Sequence, residues 1–511
     1  MTVYTLGLDI GTTNCKAILV DDEGKVKAFH SSEEYSVIRP KPGWAEENPR
    51  DWWHAVKRVV REVIASSGVN PEDIEAIGVS SMEEGVVPLD KDGEPLYNCM
   101  IWQDTRTKEQ EAWVLEHVDF FTVLKITGLP ITYLWSAEKV LWLKQHHPEV
   151  YERTYKFMQP KDFINFKLTG EYTTDWSIAG HTQLFDIVRR KWSEELMEQH
   201  GISPDKWPEV KESTEVIGEL TGEAATELGL SRGTKVIAGA GDQEGGVVGA
   251  GAVRAGEALE SAGTASVLNI VLSKPVFDFR ATVFCHPYRD LWIMELYPPP
   301  SGQMFQWLKS NFGRFEEEAS KVIGVSPYKI MDLEAEKSPP GSNGLLALPL
   351  FVGKVTSEIN PSAKAVVFGL DFDHTRSDFI RALIEGTAFE LKEILDFVKE
   401  ELKIDVDELK VSGGVANSRI WREIRADITG RKILLPKVTE TTVFGDALLA
   451  GVGSGLYSAE QAASMVEVSE RLEPKRESHK VYLKVYEVYR KVYEGLKDVF
   501  SELQSIKQLQ K

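Results

Sequence analysis

The sequence predicts an α/β protein built from two lobes. Apolar runs of strand length alternate with stretches of helical spacing along most of the chain. A tight turn with a Gly-Thr pair occurs twice between apolar runs, at Gly11-Thr12-Thr13 and at Gly263-Thr264. The 511 residues exceed what one hydrophobic core usually organises, so two domains and an appendage are expected.

In the first half of the chain, the spacing of apolar residues predicts strands and two helices. The expected strands are residues 5–9, 16–20, 25–31, 74–80, 85–89 and 235–240. The expected helices are residues 51–66, with Trp52 and Val56 on the apolar face, and residues 244–251. Together these elements indicate a first domain over residues 1–250.

The second half repeats this alternation and ends in a long helix. Residues 409–412 are expected to form a strand, and residues 379–400 and 419–429 to form helices. Residues 478–511 carry Val and Tyr at helical spacing, which predicts a terminal helix packed on the second domain. A coiled-coil dimer arm stays open as an alternative, although the apolar stripe is broader than a heptad seam. We therefore expect a second domain over residues 251–456 and a helical extension over residues 457–511.

The charge balance and the cysteine content argue against several classes of function. The formal net charge is −20, whereas nucleic acids and anionic membranes attract positive charge. The cysteines, at positions 15, 99 and 285, form no Cys-x-x-Cys pair, so neither a disulfide framework nor a zinc site is expected. The sequence does not open with a basic segment and an apolar core, and no apolar run has the length of a membrane span. We expect a soluble cytoplasmic protein.

The two Gly-Thr turns are the expected phosphate-binding elements. Such a turn exposes main-chain N–H groups and a hydroxyl, and the sequence has no Walker loop that would take this role. Asp9 ends the strand before the first turn, and a carboxylate beside bound phosphate needs a cation between them. We therefore expect Asp9 to hold Mg²⁺, with a simple turn cap as the alternative. Lys16 either reaches a phosphate or is a solvated strand lysine.

Two further segments have the chemistry of a site. Asp242 follows a strand and the small residues at 239–241, where a hydroxyl can approach closely, and this placement suits a general base. The alternative for Asp242 is an ordinary helix N-cap. Gly413-Gly414 permits a flat ring to lie against the backbone, and Asn417 offers amide donors and acceptors. The alternative for this segment is a plain helix start.

Two longer stretches resemble the signatures of the FGGY family of carbohydrate kinases. The first, around Ser136-x-x-Lys139, departs from the family at Leu134, where an aromatic or small residue is usual. The second joins residues 365–370 to residues 378–385, and its one departure is Leu383. Together with the two turns and the Gly-Asp and Gly-Gly pairs, the resemblance extends from residue 4 to residue 456.

This resemblance implies an α/β fold of two actin-like, ribonuclease-H-like ATPase domains with a central cleft. It also implies ATP and Mg²⁺ as cosubstrates and transfer of phosphate to a hydroxyl of a sugar or polyol. On the matching positions, it makes Asp242 the catalytic base. It assigns ATP contacts to Gly11, Thr12, Thr13, Gly263, Thr264, Gln306, Gly414 and Asn417.

The substrate segment, residues 80–85, matches no single subgroup of the family, and it is most similar to that of the autoinducer kinases. Glu84 keeps a carboxylate of glycerol kinases, whereas Glu83 stands where those kinases have arginine. Because carboxylates accept hydrogen bonds from vicinal hydroxyls, Glu84 favours a neutral polyol or ketose over a sugar acid. Neighbouring residues on a strand point to opposite faces, so Glu83 is expected to be a surface residue.

We expect an ATP-dependent kinase for a small neutral sugar or polyol, with a pentulose such as xylulose as the leading substrate. The expected substrate contacts are Glu84, Trp102, Gln103, Asp242 and Gln243. A glycerol, tetritol or autoinducer-type kinase stays open. So do an actin- or chaperone-like ATPase that acts on a protein partner, a non-catalytic sugar sensor, and a homodimer.

Overall fold

The computed structural model describes residues 2–263 and 265–509, with the backbone alone for residues 507–509. The strands are β1 Tyr4–Ile10, β2 Cys15–Asp21, β3 Val26–Ser31, β4 Glu46–Glu47, β5 Ile74–Ser81, β6 Val87–Leu89, β7 Cys99–Met100, β8 Lys156–Met158, β9 Thr173–Asp175, β10 Phe185–Asp186, β11 Lys191–Trp192, β12 Glu209–Lys211, β13 Val216–Glu219, β14 Lys235–Ile237, β15 Ala240–Gly241, β16 Ala258–Ala262, β17 Ser266–Leu272, β18 Thr282–Cys285, β19 Trp292–Leu296, β20 Leu346–Leu348, β21 Val366–Phe368, β22 Glu408–Ser412, β23 Lys432–Pro436 and β24 Val468–Leu472.

The helices are α1 Pro49–Ser67, α2 Lys108–His117, α3 Phe120–Thr127, α4 Ser136–His146, α5 Pro148–Arg153, α6 Pro160–Thr169, α7 Trp176–Gly180, α8 Glu194–Gln199, α9 Gly222–Leu228, α10 Asp242–Gly249, α11 Ser301–Phe312, α12 Arg314–Ile323, α13 Pro327–Ala335, α14 Arg376–Glu400, α15 Arg419–Thr429, α16 Thr441–Ser454, α17 Ala459–Met465 and α18 Arg476–Leu509. Single 3₁₀ turns lie at Pro71–Asp73, Pro204–Lys206, Ser342–Gly344 and Gly414–Asn417.

The chain divides into two compact units, and each is described by itself. The first comprises the residues up to Ala255 together with Val271–Met294 and Glu440–Glu467. The second comprises Gly256–Ile270, Glu295–Thr439 and the residues from Val468 onward. The units are therefore discontinuous in sequence. The continuous domains expected over residues 1–250, 251–456 and 457–511 stay a prediction.

The first unit is organised by a mixed sheet whose strands lie in the order β13-β14-β5-β1-β2-β3. Strands β1, β2 and β3 form an antiparallel meander, as their alternating pattern predicts. Strand β5 lies parallel to β1 on its other side, and both β14 and β15 pair parallel with β5. The carboxyl ends of β1, β5 and β15 therefore meet at one edge of the sheet.

Helix α1 shows why the sequence forms a helix close to where the pattern predicts one. Asn48 caps its N-terminus by accepting a hydrogen bond from the Arg50 main-chain N–H, and Pro49 occupies the first turn. Gly68 ends it in the left-handed conformation, with φ 67°. The face that carries Trp52 and Val56 is buried in the core of the first unit. The helix extends the predicted span by one or two residues at each end.

Helix α16 lies directly on the sheet because glycines face it. A side chain at Gly7 on β1 would overlap the main-chain oxygen of Val443, and one at Gly78 on β5 would overlap that of Asp446. Only glycine leaves room for this close approach. The contact brings Asp446 of α16 within hydrogen-bond distance of Ser80, near the carboxyl end of β5.

The second unit contains strands in the order β17-β16-β22-β23-β24. Strand β16 is antiparallel to β17 and parallel to β22, the same relation that β1 has to β2 and β5. The long helix α14 begins at Arg376 and ends at Glu400, so the helix predicted over residues 379–400 is confirmed. Both units thus combine an antiparallel strand pair with a parallel crossover, as an α/β fold of two ribonuclease-H-like domains requires.

The terminal helix α18 packs on the second unit through its tyrosines. Tyr482 and Tyr489 are fully buried and donate hydrogen bonds to Glu385 and Glu390 of α14. The face predicted to be apolar therefore completes the core of this unit, which confirms the packed terminal helix. No helix in the described part of the chain is both long and apolar enough to cross a membrane.

Candidate active site

Polar residues gather where three parallel strands of the first unit end. In the sheet register, Asp9 on β1 lies beside Ser80 on β5, and Ser80 lies beside Ala240 on β15. Asp242 follows β15 at once and begins helix α10. Ligand sites of α/β proteins form at the carboxyl ends of such strands. The sequence predicted Asp9 and Asp242 here, and the structure places them at the same edge.

Asp9 is a buried carboxylate with a cation next to it. Lys16 lies directly opposite on β2, and its Nζ donates to Glu440 Oε2 at 2.6 Å. Burial raises the pKa of Asp9 to about 6, while the charge of Lys16 opposes the rise. Lys16 is therefore half-buried and held in an ion pair with Glu440, rather than fully solvated.

The first Gly-Thr turn is built as expected, and one of the predicted substrate residues contacts it. The Gly11 N–H donates to Asn14 O at 3.1 Å, which closes the turn between β1 and β2. The indole Nε1 of Trp102 donates to Thr12 Oγ1 at 2.8 Å. Trp102 is 39% exposed, so its ring remains available to a ligand.

Gln103 follows Trp102 and makes a different contact. Its Oε1 accepts a hydrogen bond from Arg39 at 2.5 Å. Thr13, at the tip of the turn, is exposed. These residues form a rim around the turn, and Gln103 reaches a ligand only if its contact with Arg39 is exchanged.

Asp242 is the first helical residue of α10, and Gly241 occupies the N-cap position. The alternative role of Asp242 as an N-cap is therefore wrong. Gln243 Nε2 donates to Asp242 Oδ1 at 3.1 Å. Burial and then the charge of Asp9 raise the pKa of Asp242 to about 7, with Glu244 and Glu84 adding to the effect. A carboxylate with this pKa is matched to proton transfer near neutral pH.

Glu83 is buried beside Asp242, so the expectation of a surface residue is wrong. Its side chain is 7% exposed, it hydrogen-bonds to Asp242, and its Oε1 accepts from the Gln243 main-chain N–H at 3.1 Å. Strand β5 ends at Ser81, and Glu84 adopts a left-handed conformation with φ 60°. The alternation of faces along a strand therefore stops before Glu83.

Glu84 is held by two basic residues. Its main-chain oxygen accepts a hydrogen bond from Lys139 Nζ at 2.7 Å, and Lys139 belongs to the first signature stretch. Its carboxylate Oε1 lies 3.1 Å from His181 Nδ1. The left-handed conformation of a non-glycine residue costs free energy, which these contacts offset.

His181 was not predicted to be a site residue. Its Nε2 lies 3.1 Å from Glu244 Oε1, and its ring stacks on Phe284 with centroids 3.7 Å apart. Burial lowers the pKa of His181, but the carboxylates of Glu244 and Glu84 raise it further, to about 10. His181 is therefore a buried imidazolium that bridges two carboxylates. A single histidine between Gly180 and Thr182 carries no sequence signal for this role.

The same cluster has the donor set of a metal site. Glu83, His181 and Glu244 each offer one ligand atom, and these atoms lie within 4.8 Å of one another. A protonated His181 cannot coordinate a metal. Because both ring nitrogens already contact carboxylates, we interpret the cluster as a hydrogen-bonded network that fixes Glu84.

In the second unit, predicted nucleotide residues line a cavity of about 610 Å³. Gly263 follows β16, Gln306 lies on α11, and Gly414 and Asn417 begin and end the 3₁₀ turn after β22. Thr264 lies outside the described residues. The other walls combine aromatic and apolar residues with serines, a lysine and one buried carboxylate, and include Phe305, Tyr328, Lys329, Asp332, Val415 and Trp421.

Gly413 allows the segment after β22 to lie close to the segment after β16, at the cavity. It has φ 77°, and a side chain there would lie within 2.7 Å of the Ala262 main chain. Ser261 and Ser412 are paired on β16 and β22, so the segments that follow both strands enter the cavity together. A cavity with apolar walls and a polar turn at one side is suited to a ligand with a flat ring.

Comparison with known proteins decides the family. The N-terminal domain model of the FGGY family of carbohydrate kinases matches residues 4–249, and the C-terminal domain model matches residues 258–454. The chain belongs to the FGGY family. It is 32% identical to a xylulose kinase of Bacillus subtilis over 488 residues, 95% of each chain.

Other relatives carry different substrate names. A glycerol kinase of Thermococcus kodakarensis is 31% identical over 485 residues, 93% of each chain. A gluconokinase of Bacillus licheniformis is 28% identical over 487 residues, 95% of this chain and 94% of the relative. The crystal structure of a xylulose kinase from Rhodospirillum rubrum has a TM-score of 0.88 and 28% identity, and covers 98% of this chain and 100% of that one.

Membership of this family settles the broad activity. The protein is a carbohydrate kinase of two α/β domains, with ATP as the phosphate donor and a small sugar or polyol as the acceptor. This assignment decides between the kinase and the ATPase that acts on a protein partner. The relatives carry three different substrate names, so the family alone does not select one substrate.

Proposed function

We propose that this kinase phosphorylates a hydroxyl of a small neutral sugar or polyol, and that a pentulose such as xylulose is its leading substrate. The observation that supports the proposal is the concentration of carboxylates around Asp242. Glu83, Glu84 and Glu244 lie in the same buried network, and the imidazolium of His181 is already bound to two of them. Hydroxyl groups donate hydrogen bonds to carboxylates, so a polyhydroxylated neutral ligand satisfies such a site.

A sugar acid is disfavoured by the same residues. Its carboxylate would meet Glu83 and Glu84 at short range in a poorly solvated site, where like charges repel strongly. The basic side chains nearby are engaged, because Lys139 donates to the Glu84 main-chain oxygen and His181 to two carboxylates. We therefore expect gluconate to be a poor acceptor, in spite of the similarity of the chain to a gluconokinase.

Asp242 is the proposed general base. It is half-buried and follows Gly241, whose missing side chain leaves room for the carboxylates of Glu244 and Glu83. Its carboxylate would take the proton of that hydroxyl while the oxygen attacks the γ-phosphorus of ATP. Glu83 and Gln243 fix the carboxylate through hydrogen bonds. Most of the acceleration would come from positioning and from stabilised charge.

Asp9 is the proposed residue that holds Mg²⁺, and its surroundings fit a divalent cation. The charge of Asp9 raises the pKa values of Asp242 and Asp446, while Lys16 opposes the rise at Asp9 and Lys161 opposes it at Asp446. A divalent cation that takes carboxylate oxygens as ligands would neutralise part of this buried negative charge. When bound, Mg²⁺ neutralises charge on the phosphate oxygens.

The cavity of the second unit is the proposed binding site of the nucleoside part of ATP. Phe305, Tyr328 and Trp421 offer apolar surface to adenine, and Asn417 and Gln306 offer amide groups at the cavity wall. Gly263, with open space around its Cα, leaves main-chain groups of the second turn accessible.

A substrate panel tests this proposal. ADP release is measured with ATP, Mg²⁺ and xylulose, ribulose, erythritol, glycerol or gluconate, with the Asp242→Asn variant as the background for each compound. We expect the highest kcat/KM for a ketopentose and a value at least about tenfold lower for gluconate. Glycerol or erythritol as the best acceptor would select the alternative substrates of the same family. Gluconate as the best acceptor would refute the proposed substrate class.

A further inference from the structure

The segment that leads to Asp242 is held by a buried ion-pair cluster. Lys161 on α6 is fully buried, and its Nζ donates to Asp162 Oδ1 at 2.7 Å and lies 3.1 Å from Asp175 Oδ1. The same Nζ donates to the Ala238 main-chain oxygen at 2.7 Å. An ammonium group has three protons, so these three partners account for all of them. Lys161 therefore joins α6 to the end of β9 and to the start of the segment before Asp242.

Ser177 on α7 extends this cluster to the residue next to Asp242. Its Oγ donates to Asp175 Oδ2 at 2.6 Å and accepts a hydrogen bond from the Gly241 main-chain N–H at 3.2 Å. Asp175, Ser177 and Gly241 are all buried. Because a hydroxyl has one proton, its donation to the carboxylate turns its lone pairs towards other donors. Asp175 thus orients the Ser177 hydroxyl, and that hydroxyl holds Gly241 in place.

The residues between these two contacts have little room to move. Gly239 has φ 82°, and a side chain there would overlap the Val79 main-chain oxygen on β5. The Gly239 N–H donates to the Ser213 main-chain oxygen at 2.9 Å. The segment is thus fixed at Ala238, Gly239 and Gly241. Since Gly241 and Asp242 share a planar peptide bond, a shift of Gly241 would also shift Asp242.

We propose that Ser177, oriented by Asp175 and Lys161, is a positioning residue for Asp242. It holds the main chain at Gly241 and so directs the Asp242 carboxylate at the substrate hydroxyl, where a small displacement lowers the rate strongly. The inference rests on the proposed role of Asp242 as the base, and it is independent of which sugar is phosphorylated. The rival interpretation is that the cluster serves only the stability of the first unit.

Ser177→Ala and Ser213→Ala are a matched pair of variants. Ser213 is also fully buried, and its Oγ donates to the same Asp175 Oδ2 at the same distance of 2.6 Å. Each substitution therefore removes one hydroxyl from Asp175, whereas Ser177→Ala also removes the acceptor of the Gly241 N–H. Because the main-chain oxygen of Ser213 is unchanged, the contact with Gly239 stays. We expect both variants to lose similar amounts of thermal stability.

Steady-state kinetics with the best acceptor of the substrate panel separate the two interpretations. We expect Ser177→Ala to lower kcat by roughly ten- to a hundredfold, with a sugar KM within about threefold of the wild type. Ser213→Ala should keep kcat within about threefold. Ser177→Thr keeps a hydroxyl and should recover most of the rate. Equal kcat values in the two alanine variants, or a Ser177→Ala defect confined to KM, would overturn the proposal.

Combination with Asp242→Asn distinguishes a failure of this proposal from a failure of the proposed base. If Ser177 acts through Asp242, adding Ser177→Ala to Asp242→Asn should lower the residual kcat by less than about threefold, because the base is already lost. A further loss as large as that in the wild-type background would show that Ser177 acts elsewhere and would overturn the proposal. Normal turnover of Asp242→Asn alone would instead refute the base, and with it the premise of this inference.

Discussion

His181 Nδ1 lies 3.1 Å from Glu84 Oε1, a contact that joins helix α7 to the loop after strand β5. The opposite nitrogen of the ring binds Glu244 of α10 at the same distance. One imidazolium therefore ties together two residues that the chain separates by 160 positions. Glu84 keeps its left-handed conformation within this network.

Replacement of His181 should weaken sugar binding, and the size of the effect should depend on which ring nitrogen the new side chain replaces. Asn places its amide N–H near the position of Nδ1, whereas Gln reaches the position of Nε2. We therefore expect His181→Gln, which loses the Glu84 contact, to raise the KM for the sugar by roughly ten- to a hundredfold, because the lost hydrogen bond is charged. His181→Asn should raise it less. Steady-state kinetics with varied sugar measure both.

His200→Asn is the matched control for a buried histidine. His200 bonds through Nδ1 to the Leu196 main-chain oxygen at 2.7 Å and has no contact with Glu84 or Glu244. Its replacement should lower stability without changing the KM for the sugar. An unchanged KM in His181→Gln would show that Glu84 does not depend on His181.

Replacement of Glu83 and replacement of Glu84 should change different kinetic parameters. Glu84→Ala removes an acceptor for substrate hydroxyls, so KM should rise by roughly ten- to a hundredfold. Glu83→Ala removes a partner of Asp242 and of the Gln243 N–H, so kcat should fall, while Glu83→Gln keeps a hydrogen-bonding group there and should recover much of the rate. Equal effects of Glu83→Ala and Glu83→Gln would contradict the positioning role of Glu83.

The pH dependence of kcat/KM should report Asp242. A general base works when deprotonated, and burial together with the charge of Asp9 raises the pKa of Asp242 to about 7. The rate should therefore rise with pH through about 7 and fall tenfold per unit well below it. The His181 pKa of about 10 keeps its charge constant over this range. A profile that is flat between pH 5 and about 8 would remove Asp242 as the base.

Tyr489→Phe should destabilise the second unit. The Tyr489 hydroxyl donates to Glu390 Oε1 at 2.6 Å, and both side chains are buried. Its loss leaves a buried carboxylate oxygen short of a donor, which costs about 1–3 kcal/mol of unfolding free energy. Guanidinium unfolding followed by tyrosine and tryptophan fluorescence measures the change. Val488→Ala, at a position that is 45% exposed on the same helix, should change stability by less than about 1 kcal/mol.

Local patterns predicted much of the fold and the residues that sit on motifs. The helix over residues 379–400 and the turn at Gly11 follow from spacing and from glycine chemistry, which act over a few residues. Asp9 and Asp242 were predicted because each ends a strand beside small residues. Each of these patterns lies within a short segment, so it can be recognised in the sequence.

The residues that were missed depend on contacts across the fold. Asp446 reaches Ser80 across 366 positions, and His181 reaches Glu84 across 97. Glu83 was expected at the surface because strand alternation was assumed to continue past Ser81, whereas β5 ends at Ser81 and a left-handed residue follows at Glu84. Such placements depend on packing between distant elements, and local periodicity carries no information about that packing.

The most direct test of the central claim pairs sugar binding and turnover in one variant, Asp242→Asn. Asn keeps the shape and most hydrogen-bonding capacity of Asp but cannot accept a full proton. We expect the calorimetric affinity for the sugar to stay near that of the wild type, while kcat with ATP and Mg²⁺ falls by about 10²–10⁴-fold. Turnover within a few-fold of the wild type, or lost sugar affinity with normal turnover, would contradict the assignment of Asp242 as the base.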